Sequence, residues 1–204
     1  MFKKTAEIIS ICDAVVGGNQ DLCNYARQFN DNVKLIPTTI DISAYSNKGN
    51  MNTSVCIGWS GSLTTLKHFD HAVSFLKKLK DKYGDRITIK VMGDPNHQNK
   101  ELDVSYVGWT KETEVRELSG FDIGIMPLPD DKWANGKCGL KGLQYMALEI
   151  PTIMSPVGVN SEIIQDGVNG FLASTEEEWI DKLTQLIESK ELRQKIGKAG
   201  RKTV

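Results

Sequence analysis

The chain has 204 residues, 40% hydrophobic and 25% charged, with a net charge of -1. That is enough for one large domain, or one and a half small ones, with an ample core. Neither sign of charge dominates, which excludes a basic nucleic-acid binder and an acidic tail, so no nucleic-acid partner is expected and partners must be sought in local sites. No apolar stretch is long enough to cross a bilayer, and the opening MFKKTAEIIS is too briefly apolar for a signal peptide. A cytoplasmic location is expected, with no transmembrane segment and at most peripheral contact with the inner face of a membrane. The four cysteines, Cys12, Cys23, Cys56 and Cys138, are widely spaced with no CxxC pair, and Cys12 and Cys56 have apolar neighbours. They read as buried free thiols in a reducing compartment rather than disulfides or zinc ligands.

In chain order, ICDAVVGGNQDLCNYARQFNDNVKLIPTTID reads strand, helix, strand, and SAYSNKGNMNTS is a polar linker. Two strands and a helix or two cannot close a core. Residues 1–46 are therefore expected to be the tail of a preceding domain, and residues 47–204 a unit with its own core. From Ser54 onward SVCIGW, RITIKVMG, VSYVGW and FDIGIMPL alternate with the amphipathic runs LKHFDHAVSFLKKLKDKYG and KETEVRELSG. That alternation predicts an α/β fold with a parallel, doubly wound, Rossmann-like sheet. It continues through a helix from Gly136, the strand PTIMS, the loop PVGVNSEIIQDGVNG, the strand-like GFLAS and a single final helix TEEEWIDKLTQLIESKELRQKIG. Thr175 with Glu178 forms a capping box there, and Gly197 reads as its stop.

Ligands of an open parallel sheet bind beyond the carboxyl ends of its strands. Four loops at such positions carry unusual residues. Gly58, Ser60, Gly61 and Ser62 in GWSGS suit backbone approach to a phosphate, or equally tight packing. Trp109 offers a face on which a base could stack, although a strand-end Trp is more often packed in the core or at an edge. The long loop PLPDDKWANGKCG leads into a helix, with Asp130 and Asp131 read as turn formers. In SPVGVNSEII, Gly158 permits close approach, Asn160 or Ser161 caps the next helix, and Glu162 falls in its first turn.

The helix from Gly136 holds the sharpest question. At about 100° per residue, Leu140, Leu143, Ala147 and Ile150 form an apolar stripe, while Lys137, Lys141 and Gln144 share the neighbouring face. Gly136 and Gly139 at its start expose backbone N–H groups at the positive end of the dipole. The residues alone admit both a phosphate site and a solvated lysine edge. His68 and His71 have a spacing compatible with a metal but no third ligand, so no metal is expected and they read as a solvated helix face. Cys138 reads as a small side chain that lets the backbone come close.

The four loops in this order, with KGLQYMALEIPTIMSPVGVNSEIIQDGVNGFL at their centre, resemble the C-terminal, donor-binding domain of GT-B glycosyltransferases of the family 4 (group 1) type. The matching residues are Tyr145-Met146-Ala147, Pro151, Gly158, Glu162 and the turn Asp166-Gly167-Val168-Asn169-Gly170. CDAVVGGNQDLCNYARQFNDNVKLIPTTIDISAY is similar to the last elements of the family's N-terminal domain, and ELRQKIGKAGRKTV to its penultimate helix. The resemblance implies a nucleotide-diphosphate sugar as substrate, no cofactor, and transfer of a hexosyl unit with retention to a sugar or lipid-linked acceptor held by the N-terminal domain. Two departures accompany it. The family's ribose-binding Glu falls on Gln144, and the Glu that holds the donor sugar falls at or near Gly136. The first loop also lacks an Arg, with only Lys67 following, so Lys141 becomes the leading candidate for diphosphate neutralisation, supported by Lys137.

Two further functions remain open: a non-catalytic nucleotide-sugar-binding module, favoured by Gln144 and the missing first Glu, and a GT-B type nucleotide-sugar epimerase. The epimerase would need a carboxylate and His constellation, whereas His68, His71 and His97 lie away from the phosphate loops in sequence. The chain reads as a fragment, and alone it is expected to bind a nucleoside diphosphate without transferring sugar.

Overall fold

The computed structural model describes residues 2–46 and 53–204. The first unit consists of α1 (Phe2–Ile11), β1 (Val15–Gly17), α2 (Gln20–Ala26) and β2 (Val33–Leu35), with β1 and β2 paired in parallel. The Asn19 side chain starts α2 by accepting the N–H of Leu22, as N-cap residues do. Residues 47–52 of the expected linker lie outside the described residues.

The second unit runs β3 (Val55–Ser60), a 3-10 turn (Leu63–His68), α3 (Asp70–Tyr83), β4 (Ile87–Gly93), β5 (Ser105–Gly108), α4 (Glu114–Leu118) and β6 (Ile123–Met126). It continues with α5 (Lys132–Asn135), α6 (Leu140–Ala147), β7 (Thr152–Met154), α7 (Asn160–Ile163), β8 (Phe171–Leu172), α8 (Glu176–Glu188) and α9 (Lys190–Arg201). The six-stranded sheet has the order β5-β4-β3-β6-β7-β8, and every neighbouring pair is parallel. This is the doubly wound arrangement, and the strand order reverses between β3 and β6.

Burial follows from that topology. Ile57, Ile123, Ile125 and Ile153 are fully enclosed because helices cover both faces of the sheet. On one side α3 and α8 close over it, with the rings of Phe75 and Trp179 stacked 5.0 Å apart. On the other, Tyr145 of α6 packs with Phe121, Cys56 and Tyr45, so the end of the first unit joins the core of the second.

Three local expectations change. The final helix is two, because Ser189 adopts extended backbone and caps α9 through its hydroxyl, which accepts from Leu192. Gly197 is therefore not a stop. It lies inside α9, where a Cβ would meet the carbonyl of Glu149. Cys23 and Cys56 are buried, but Cys12 is exposed, since it follows the last turn of α1.

Glu149 itself has φ 57, a left-handed conformation that links α6 to β7. An L side chain there costs about 1–2 kcal/mol. A Glu149→Gly variant is expected to be more stable by about 0.5–1 kcal/mol in urea unfolding, after the larger entropy loss of glycine; equal or lower stability would contradict the strain.

Candidate functional site

At the reversal point, the carboxyl ends of β3 and β4 and the start of α6 surround a cavity of about 470 Å³. Ser60, Gly61, Ser62, Trp109, Lys141 and Gln144, all singled out in the sequence, line it together. Leu63, Met92, Gly93, Glu114 and Leu140 complete its wall. A second hollow, of about 330 Å³, lies beside Asp122 and Pro151, at the amino ends of β6 and β7. That is the wrong end of a parallel sheet for a ligand.

Lys141 dominates the electrostatics. Its Nζ sits 4.1 Å from the centroid of the buried Trp59 ring, so the ammonium lies deep although the side chain reaches the cavity. Gly61 keeps this seat open, since a Cβ there would stand 2.7 Å from Lys141 Nζ and 2.2 Å from the Trp59 ring. Burial, and secondarily the positive charge of Lys137, pushes the ammonium down to about 7. Among the described residues no carboxylate is within ion-pair distance of it.

The expected shared face does not extend to Lys137. Gly139 takes a left-handed φ of 71, which delays the start of α6 to Leu140 and leaves Lys137 in the loop after α5. Its Nζ lies 5.9 Å above the Trp133 ring, beside a separate cavity of about 530 Å³ that also touches Leu22 and Tyr25. Burial holds this ammonium below the ordinary lysine range; the nearby Asp131 carboxylate partly opposes the shift and the charge of Lys67 adds to it. Leu140, expected in the apolar stripe, is 49% exposed, and Ile150 lies beyond the helix end.

The remaining wall is hydrogen-bonded. Gln144 is buried, and its Nε2 donates to the Tyr45 hydroxyl at 2.9 Å. Trp109 is 53% exposed at the cavity mouth rather than packed inside, and its indole N–H donates to Glu114 at 2.8 Å. The Ser60 amide donates to the Tyr145 hydroxyl at 2.8 Å, and the two side-chain hydroxyls share a second bond. Ser62 is exposed and starts the 3-10 turn.

Other candidates serve packing. Gly58 lies within β3, where a Cβ would fall 2.0 Å from the Phe121 ring, so its smallness admits an aromatic and not a phosphate. Gly139 faces Ile163, and Gly158, at φ 54, lets the backbone of Asn135 come close. Glu162 is exposed on α7 and lines a fourth hollow with Cys138 and Asn19, apart from Lys141. Val159, not Asn160 or Ser161, holds the cap position of α7, while Asn160 is buried and donates to the Ser155 carbonyl at 2.9 Å. Asp131 caps α5 by accepting from Ala134, the turn-forming role expected of it.

His68 is buried, not solvated, and neither ring nitrogen has a hydrogen-bond partner. Burial first, then the charges of Lys137 and Lys141, holds its imidazole towards the neutral form. The fold thus brings His68 electrostatically close to the lysines despite its distance in sequence. Among the described residues, no group of three or more His, Cys, Asp or Glu side chains converges as a metal site would require.

Sequence reasoning missed two residues. Glu114 sits on a short helix with no motif to mark it. Asn19 donates its amide to the carbonyls of Asn135 at 3.1 Å and Lys137 at 3.0 Å, tying α2 to the loop that carries Lys137. The only sequence signal for Asn19 was its cap position.

A doubly wound parallel sheet with a cation-bearing cavity at its reversal point has the architecture of the C-terminal domain of a GT-B glycosyltransferase. The chain belongs to the glycosyl transferases group 1 family, whose profile matches residues 44–203. The structure is similar to TarM of S. aureus at 19% identity and TM-score 0.78, covering 98% of this chain and 42% of that one. It is similar to HepE of Anabaena, solved with UDP and glucose, at 15% identity and TM-score 0.79, covering 98% and 61%. The C-terminal domain of LpcC, a group 1 protein of Francisella tularensis, matches at 21% identity and TM-score 0.64, covering 81% and 96%. The chain thus spans under two thirds of the length of TarM and HepE. No curated protein matches the sequence. Among the described residues no helix is long and apolar enough to cross a membrane.

Proposed function

We propose that the cavity beside Lys141 binds the diphosphate of a nucleotide sugar, and that the enzyme this domain serves transfers a hexosyl unit with retention to a saccharide or lipid-linked acceptor. One observation carries the reading: a deep ammonium stands at the ligand-binding edge of the sheet with no carboxylate partner among the described residues. An unpaired buried charge is costly, and an anion in the cavity would relieve it. The first N–H groups of α6 point the same way, because the first turn of a helix leaves them without intrahelical partners. Relatives support the ligand class, since HepE has been solved with UDP-glucose and a TarM variant with UDP.

The chemistry asks for little more from this domain. As the sugar leaves, negative charge grows on the diphosphate, and Lys141 already stands where it is needed, so stabilisation requires no reorganisation. Trp109 offers its exposed face to the base, and Ser60, Gly61, Ser62 and Gln144 shape the walls. Lys137 contributes from outside the cavity. A binding module without transfer is the second reading, favoured by Gly136, which presents no carboxylate to a donor sugar.

Calorimetric titration with UDP, GDP and ADP tests the proposal, with saturable binding of at least one expected. Absence of binding by all three would remove it. Lys137→Ala is expected to weaken the bound diphosphate less than Lys141→Ala; the reverse order would place the phosphates in the cavity by Trp133 instead.

A further inference from the structure

The cavity wall carries both signs of charge. Lys141 supplies its cation, and among the described residues Glu114 is the one carboxylate along its wall. A nucleoside diphosphate is also asymmetric: its phosphates are anionic, while its ribose offers two neutral O–H donors. A carboxylate repels phosphate and accepts hydroxyl protons. The charges therefore fix the ligand's direction, with the ribose towards Glu114.

Glu114 is held ready for that contact. It is half-buried at the cavity wall, and its Oε1 accepts the indole N–H of Trp109 at 2.8 Å. Burial raises the Tyr45 hydroxyl, the Gln144 hydrogen bond partly offsets this, and the charge of Glu114 adds to the rise. A carboxylate has about four lone-pair sites, so the Trp109 bond leaves acceptor capacity for a diol. Gln144 turns its Nε2 to Tyr45 at 2.9 Å, and its neutral amide oxygen is a weaker acceptor for a hydroxyl than a carboxylate. Trp109 is thus bonded to Glu114 and Gln144 to Tyr45, and among the described residues Glu114 carries the only negative charge of the lining.

Resting on the nucleotide reading above, we propose that Glu114 is the residue that recognises the ribose diol and makes the site selective for ribonucleotides. Its carboxylate accepts from the 2′- and 3′-hydroxyls while the Trp109 indole N–H fixes its orientation. Gln144 borders the site and braces Tyr45.

The test is calorimetric binding of UDP and 2′-deoxy-UDP to the wild-type chain, Glu114→Gln and Gln144→Leu, with thermal unfolding of each variant to establish folding. The wild type is expected to prefer UDP by about tenfold, the scale of one hydrogen bond to a charged group. Glu114→Gln is expected to bring that ratio close to one, mainly by weakening UDP, and to lower it more than Gln144→Leu does. The inference is overturned if Glu114→Gln keeps the ratio, if it weakens both ligands equally, or if Gln144→Leu alone abolishes the preference. Failure of the underlying reading looks different: the wild type itself would bind neither nucleotide, while Glu114→Gln would still unfold as the wild type does.

Discussion

A Lys141→Met variant is expected to bind a nucleoside diphosphate at least about tenfold more weakly than the wild type while its empty form becomes more stable. The first effect follows from losing a charge-assisted contact to phosphate, worth about 1.5–3 kcal/mol. The second follows from the seat of the ammonium, 4.1 Å over the buried Trp59 ring with no carboxylate beside it among the described residues. Methionine keeps the length and apolar stem without a charge, and exchanging buried charge for packed apolar atoms typically stabilises by about 1–4 kcal/mol. Calorimetry gives the affinity and urea unfolding the stability. A solvated surface lysine would change neither, so an unaltered variant would contradict the assignment.

Ligand affinity is expected to fall steeply between about pH 7 and pH 9, approaching tenfold per pH unit at the upper end. In the empty site Lys141 loses its proton near 7, chiefly through burial. A bound diphosphate favours the ammonium and raises that value again, so above pH 7 binding must take up a proton, and its cost grows with pH. The ligand contributes little in this window, because the last phosphate ionisation lies near ~6. Stability of the empty domain moves the opposite way. The folded lysine, at about 7, binds fewer protons than the unfolded one, near 10.5, so this group adds stability as pH rises through that interval. Lys141→Met should flatten both profiles. An affinity independent of pH in the wild type would mean that Lys141 keeps its proton in the empty site.

How legible this was from sequence depended on the range of the interaction. The alternation of β-branched and amphipathic runs gave the order β3 to β8 because strand and helix periods are local. The Thr175 and Glu178 capping box was readable for the same reason, and both of its bonds are present. The break at Ser189 was not, because one extended residue between two good helices leaves the periodicity nearly intact. Lys137 was placed on the face of Lys141 by assuming an unbroken helix, and the left-handed backbone of Gly139 undoes that.

The candidate site divides in the same manner. Ser60, Gly61 and Ser62 could be found because strand-end loops are marked by glycine and hydroxyl residues, and Lys141 because a lysine interrupts an otherwise apolar helix. His68 and Asn19 act across long sequence separations. The Asn19 contacts, for example, join residues 116 and 118 positions apart. No local pattern encodes such pairs, and only the folded chain reveals them. Gly58 was misjudged for the complementary reason: a small residue beside a strand end looks alike whether it admits a ligand or the ring of Phe121.

The central claim is that Lys141 and the surrounding cavity recognise a diphosphate. It is tested most directly by measuring, in one calorimetric series at pH 7, the affinity of the wild-type chain for UDP and for UMP, which differ by a single phosphate. The account predicts that UDP binds at least about tenfold more tightly, since the added phosphate gains a charge-assisted contact of about 1.5–3 kcal/mol. Equal affinities for the two nucleotides, or binding of neither, would contradict it.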